Sequence, residues 1–350
     1  LRFRAFTFAA ERDHRSRLYE GSALPYNGRV TSRPTSRLLE PAIFGSICGI
    51  VSAAIYTCSN ICLRAVSHCD PFWVACMKAV PTVAVASVIV GLGFTRGKPL
   101  RLSGKILLVL VVNGLLGHIV GNVGFQFSLH AIGLALAVPL TLGSIITCGA
   151  VLGRFWLGEA VTSRTVWAMI VLIIAVPILT FGAEKAATAP PTEEIAEAWF
   201  VALGVLAALM AGIAYAIQSC VLRLMATSHT PHSVTLLVLS GTGSITLGML
   251  SLERLGWQGL LATDRIDFLT MIGAGLFNAA GFFLLIKALQ LVSVVQVNAI
   301  NASQAAMAAV AGILFFHERV TVWLVSGVAL TIVGLLLIDR AKQAVAIEEV

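Results

Sequence analysis

The chain has 350 residues, 58% of them hydrophobic and 12% charged, with a formal net charge of +7. A soluble domain carries about 25% charged residues, so a water-exposed globular surface is excluded and the composition is that of a multi-pass helical membrane protein. The excess of cations does not indicate nucleic acid, because eight arginines lie in residues 1–40 and most other cations sit in short loops, a membrane-topology pattern.

Residues 1–40 are polar and include Pro25 and Pro34. No apolar core of signal-peptide type precedes the first span, and a disordered cytoplasmic tail is expected. An organellar transit segment is the alternative, against which Glu11, Asp13, Glu20 and Glu40 count. Ten apolar runs follow, near 42–63, 72–94, 105–127, 132–153, 165–183, 199–222, 233–252, 267–287, 292–316 and 322–338. Each is close to the ~20 residues that cross the hydrocarbon core as a helix. The seven cysteines fall mostly inside these runs, where a thiol behaves as a small hydrophobe. Cys58 and Cys62 share a helical face, but no histidine or carboxylate completes a set of ligands there, so no metal site is expected.

One stretch occurs twice. Trp156-Leu157-Gly158-Glu159-Ala160-Val161-Thr162 ends an apolar run at a glutamate and a polar turn, and Phe315-Phe316-His317-Glu318-Arg319-Val320-Thr321 does the same 159 residues later (318 − 159 = 159). The same offset pairs Tyr56 with Tyr215, Leu63 with Leu222, Arg64 with Arg223, Ser144 with Ser303 and Gly153 with Gly312. The expected organisation is a first repeat at 41–183, an external linker at 184–198 rich in glutamate and proline, a second repeat at 199–340 and a short cytoplasmic tail at 341–350. Five spans per repeat make the second repeat enter from the opposite side, an inverted-topology pair with a midplane site between the halves. With the N-terminus inside, 18 cations fall in cytoplasmic segments and 5 outside, so both termini are expected in the cytoplasm.

Polar residues inside the runs mark candidate sites. Ser52, Tyr56, Ser59 and Asn60 form one face of the first run, and Ala211, Tyr215, Gln218 and Ser219 form the related face of the sixth. Lys78 lies within the second run, where a lysine near the bilayer centre costs about 2.5–3.5 kcal/mol on insertion scales. It must snorkel to the interface, pair, or serve a cavity. His118, Asn122 and Gln126 recur at spacing four in the third run, beside a small face of Gly114, Gly117, Gly121 and Gly124 suited to close helix approach. Thr141, Ser144 and Cys148 share a face of the fourth run below Pro139, and its repeat partner Asn298 precedes Asn301 and Gln304 in the ninth. Asn278 is a weaker candidate. Glu159, Thr162, Glu318 and Thr321 are expected to be structural, with each carboxylate favouring the positive start of the next helix. No phosphate-binding loop or zinc-protease motif occurs, so neither ATP-driven pumping nor a resident cofactor is expected.

Ten spans in two halves, each with a fourth helix ending in Leu157-Gly158-Glu159-Ala160-Val161-Thr162 or Phe316-His317-Glu318-Arg319-Val320-Thr321, resemble the drug/metabolite transporter superfamily, and within it the EamA family. The resemblance covers about residues 42–340 and implies movement of small metabolites, amino acids and drugs, often outward, without covalent catalysis. The expected activity is secondary transport of small polar metabolites, such as amino acids or derivatives, across the cytoplasmic membrane by alternating access. An organellar sugar-phosphate or nucleotide-sugar antiporter of the same superfamily is the alternative. A membrane-embedded enzyme would need clustered catalytic groups that the sequence scatters. The expected partners are a small solute and the lipid bilayer, a homodimer is compatible with them, and nucleic acid is not among them.

Overall fold

The computed structural model describes residues 36–96, 102–158, 194–226, 230–301, 303–317 and 320–337, with residues 163, 164, 166, 167, 170, 171, 174, 175 and 178 between the second and third of these. Residues 1–40 and 41–350 are separate units. Within the first, residues 36–40 are helical. The second is all-helical among the described residues. Its helices are α1 (Pro41–Ala65), α2 (Pro71–Thr95), α3 (Gly104–Ile132), α4 (Leu134–Trp156), α5 (Glu194–Ala226), α6 (His232–Leu261), α7 (Arg265–Leu291), α8 (Val294–Phe316) and α9 (Val322–Leu337). Eight of these, α1 to α8, are long and apolar enough to cross a membrane. The expected fifth span falls largely outside the described residues, and α9, at the expected tenth, has 16 residues.

Large apolar side chains such as Phe155, Ile245, Met249 and Leu314 are exposed on the outer surface. In water such a coat would be an association surface; in a bilayer it meets hydrocarbon. α4 differs from the rest, with 72% of its membrane window buried against 33–44% for the other seven long helices. It is the central post, packed against α5 on one side and α8 on another.

Local signals set the helix ends. Asp70 caps α2 by accepting from the Phe72 and Trp73 amides (3.0 and 3.1 Å), with Pro71 at the first helical position. Asp264 caps α7 through the Ile266 amide (2.9 Å). Two of the three ends with a left-handed residue stand at the 159-residue offset seen in the sequence. α4 leaves through Gly158 (φ 67°) and α8 through His317 (φ 52°), positions 159 apart. Glycine takes this conformation freely, whereas histidine does so at a cost of about 1–2 kcal/mol. Glu159, Thr162 and Glu318 lie outside the described residues, while Thr321 sits immediately before α9 and its carbonyl accepts from Val325 (3.1 Å). α5 starts at Glu194, inside the segment expected to be linker, because alanine and glutamate favour helix. α6 turns at Gly256 (φ 67°) before its last residues.

Packing joins the sequence halves throughout. α2 runs against α6 and α7, α3 against α5 and α6, and α4 against α5 and α8. On α1, Ser52 and Ser59, seven residues apart, donate to the carbonyls of Gly281 (2.8 Å) and Ala274 (2.9 Å), seven apart on α7. The glycine face of α3 works as its composition predicts. A Cβ at Gly117 would meet Gln218, one at Gly121 would meet the Tyr215 ring, and one at Gly124 the Ala207 carbonyl. A parallel contact recurs where a Cβ at Gly281 would meet the Tyr56 ring. The offset pair Arg64 and Arg223 also acts alike: Arg64 donates to the Leu129 carbonyl (2.7 Å) near the end of α3, and Arg223 to the Leu289 carbonyl near the end of α7.

Candidate functional site

Where α1 to α8 converge they enclose a cavity of about 140 Å³. That is close to the ~150 Å³ that accommodates a benzene ring, so one small solute fits. Its lining draws on both sequence halves. Of the expected residues, Tyr56, Asn60, Lys78, His118, Asn122, Thr141, Tyr215, Gln218, Asn298 and Asn301 all line it.

Gln126 does not line it. Its Nε2 donates to the Leu63 carbonyl (3.0 Å) on α1, and Phe125 faces the cavity instead. Carrying a spacing of four over two turns assumes a regular helix, and α3 is not one. Residues Leu116–Val123 form a π turn, a rare widening that often accompanies function. His118 and Asn122 both lie on it.

Asn122 is the hub of the polar wall. Lys78 Nζ donates to Asn122 Oδ1 (3.0 Å), and so does the Tyr215 hydroxyl (2.7 Å). Since an ammonium can only donate, the Asn122 oxygen faces Lys78 and its Nδ2 donates to His118 Nδ1 (2.9 Å). The remaining proton on a neutral His118 ring then sits on Nε2. The ring rests on α6 at Gly243, where a Cβ would collide with it. Four groups from α2, α3 and α5 are thereby held in one arrangement.

Of the three alternatives for Lys78, snorkelling does not occur: it is 8% exposed, lines the cavity, and a neutral amide oxygen holds it. No carboxylate lines the cavity among the described residues. A buried cation with neutral partners is costly, and an anion of the right size would relieve that cost. On the α8 side, Asn60 Nδ2 reaches Gln304 Oε1 (3.5 Å). The Asn298 Nδ2 donor and the Asn301 Oδ1 acceptor are buried with no protein partner among the described residues. Buried polar atoms normally have partners, and a polar solute in the cavity would supply them. Thr141 spends its hydroxyl on the Ala208 carbonyl (3.2 Å).

Sequence reasoning missed Ser240 of α6 and Phe282 of α7, both in the lining. The available signals were Ser244 four residues after Ser240 and Asn278 four residues before Phe282, each spacing placing the pair on one helical face. Gln304, Ser219 and Asn278 were legible as polar residues within spans, and the structure brings all three to the wall.

Residues 202–339 match the model of the EamA-like transporter family. No curated protein sequence matches the chain. A protein of known crystal structure aligns with 84% of this chain and 96% of its own, at 16% identity and a TM-score of 0.55. That likeness is one of fold. Residues 202–339 are thus similar to an EamA-like transporter segment, and with eight helices long and apolar enough to cross a membrane among the described residues the protein is a multi-pass membrane protein.

Proposed function

We propose that the chain is a secondary transporter that moves small polar metabolites, of the amino-acid or weak-acid kind, across the cytoplasmic membrane by alternating access. The observation that carries this reading is the composition of one cavity wall. Twelve uncharged polar side chains and His118 surround a single cation, Lys78, with no carboxylate among the described residues. A carboxylate of the solute would sit at Lys78, whose ammonium has protons beyond the one given to Asn122, and its other polar atoms at Asn298 and Asn301. The two halves, read as inverted repeats of five spans, would rock about this point, with both termini in the cytoplasm. Outward movement is the expected direction, following the family resemblance.

The sugar-phosphate alternative is weaker on the same ground. A dianionic phosphate in low dielectric needs more than one cation, and the cavity offers only Lys78 as a fixed charge among the described residues. An embedded enzyme is weaker still, because the polar groups surround a space without forming a nucleophile–base pair. Untargeted metabolite profiling of cells overproducing the protein tests the reading. Depletion of amino-acid-like or monocarboxylate solutes inside, with their appearance in the medium, is expected. A profile unchanged for solutes but altered for a lipid product would reject transport in favour of an enzyme.

A further inference from the structure

At one end of the bundle, away from the cavity, the turn between α1 and α2 meets the first turn of α7. His68 Nε2 lies 2.9 Å from Asp267 Oδ2, and the Cys69 thiol donates to the same oxygen at 3.6 Å. The three ligand-type atoms all lie within 4.8 Å of one another. We propose that His68, Cys69 and Asp267 form a binding site for a first-row divalent cation of borderline softness, zinc above all, tying the α1–α2 turn to α7.

The chemistry of the set argues for this class. One imidazole, one thiol and one carboxylate are the three donor types zinc takes, and three protein ligands leave a fourth tetrahedral position for water. The spacing argues for it as well. Bonds of about 2.3 Å to sulfur and about 2.0 Å to oxygen and nitrogen place a tetrahedral sulfur–oxygen pair about 3.5 Å apart and a nitrogen–oxygen pair about 3.3 Å apart. The observed Cys69–Asp267 distance of 3.6 Å already matches. The His68–Asp267 pair at 2.9 Å needs to open by only a few tenths of an ångström.

The surroundings hold the ligands in place. Asp70, next to Cys69, caps α2 and pairs with Arg254 of α6 (3.2 Å). Trp73 Nε1 donates to Thr263 Oγ1 (3.0 Å), two residues before α7 begins. The first ties the α1–α2 turn to α6 and the second ties the start of α2 to the α6–α7 turn, neither using a ligand atom. The His68 side chain is 62% exposed, so an ion reaches the site from water. The ligands come from residues 68, 69 and 267, a turn in one sequence half and a helix start in the other, which is why no sequence motif announces them.

The test uses the full chain, purified in detergent and freed of metal, with cobalt(II) and zinc(II) as probes. Wild type is expected to bind one cobalt per chain with tetrahedral visible bands and a thiolate-to-cobalt charge-transfer band, both erased by one equivalent of zinc. Cys69→Ser should abolish the charge-transfer band. His68→Ala and Asp267→Asn should each weaken binding at least tenfold, since even outer partners of metal ligands are worth 10–100-fold. Cys58→Ser, an exposed thiol elsewhere, should change nothing. All variants are compared at matched elution volume and thermal midpoint, which separates a lost site from a lost fold. No stoichiometric cobalt band in wild type, or a band that survives Cys69→Ser, overturns the proposal and leaves His68 and Asp267 as an ion pair only. None of these readouts depends on transport, so the site and the transport reading fail separately.

Discussion

Replacing Lys78 with glutamine removes the one cation of the cavity wall among the described residues while keeping a hydrogen-bond donor of similar reach. Its partner Asn122 stays anchored by the Tyr215 hydroxyl (2.7 Å) and by His118 (2.9 Å), so the wall should keep its shape. The charge-assisted hydrogen bond that an anionic solute would lose is worth about 1.5–3 kcal/mol. At 1.4 kcal/mol per factor of ten, the apparent affinity for an anion falls roughly ten- to hundredfold. A neutral analogue has no such bond and should change by less than about threefold on the same scale. Stability should not fall, because burying the ammonium costs the wild type a few kcal/mol. The assay is uptake into reconstituted vesicles of an N-acylated amino acid, a monoanion, and of its neutral amide. Equal losses for both solutes would refute the reasoning and make Lys78 structural. An unchanged anion affinity would show that the solute does not read its charge.

Gly121→Val places a branched side chain where even a Cβ lies 2.7 Å from the Tyr215 ring; it should cost about 1–3 kcal/mol and lower the thermal midpoint in detergent. Gly91→Ala on α2, with nothing within 4 Å, should leave the midpoint unchanged or raise it, by up to about 1 kcal/mol of helix propensity. Gly158→Ala should destabilise by about 1 kcal/mol or more because its φ is 67°. His317→Gly should be close to neutral, since relief of the left-handed strain is offset by about 0.5–1 kcal/mol of added chain entropy. Reporter fusions at residue 345 and within 184–198 should report cytoplasm and exterior respectively; both on one side would reject the inverted arrangement of five spans each.

Most of the cavity was legible because the bilayer makes polarity conspicuous. A lysine, a histidine and amides inside apolar runs have few reasons to be there, and Lys78, His118, Asn122, Asn298 and Asn301 all reach one space. Tyr56 and Tyr215, paired by the 159-residue offset, have rings that rest on glycines of α7 and α3. Gly158 and His317 differ in residue type, yet both end a helix in the left-handed conformation. What failed depended on backbone geometry. Nothing in Leu116–Val123 distinguishes a π turn from a regular one, so Gln126 was placed with Asn122 and instead meets α1. Ser240 and Phe282 needed the packing of α6 and α7 to find the wall.

The central claim is that this cavity carries a small solute with at most one net negative charge. A labelled panel presented to vesicles containing the purified protein tests it most directly, with protein-free vesicles as the baseline. Amino acids, N-acyl amino acids and short monocarboxylates should cross faster than the baseline and compete with one another. A double replacement of Asn298 and Asn301 by leucine should return their flux to baseline while the protein still elutes as folded. Sugar phosphates crossing faster than every amino acid or monocarboxylate would contradict the account, as would solute flux that ignores the two asparagines.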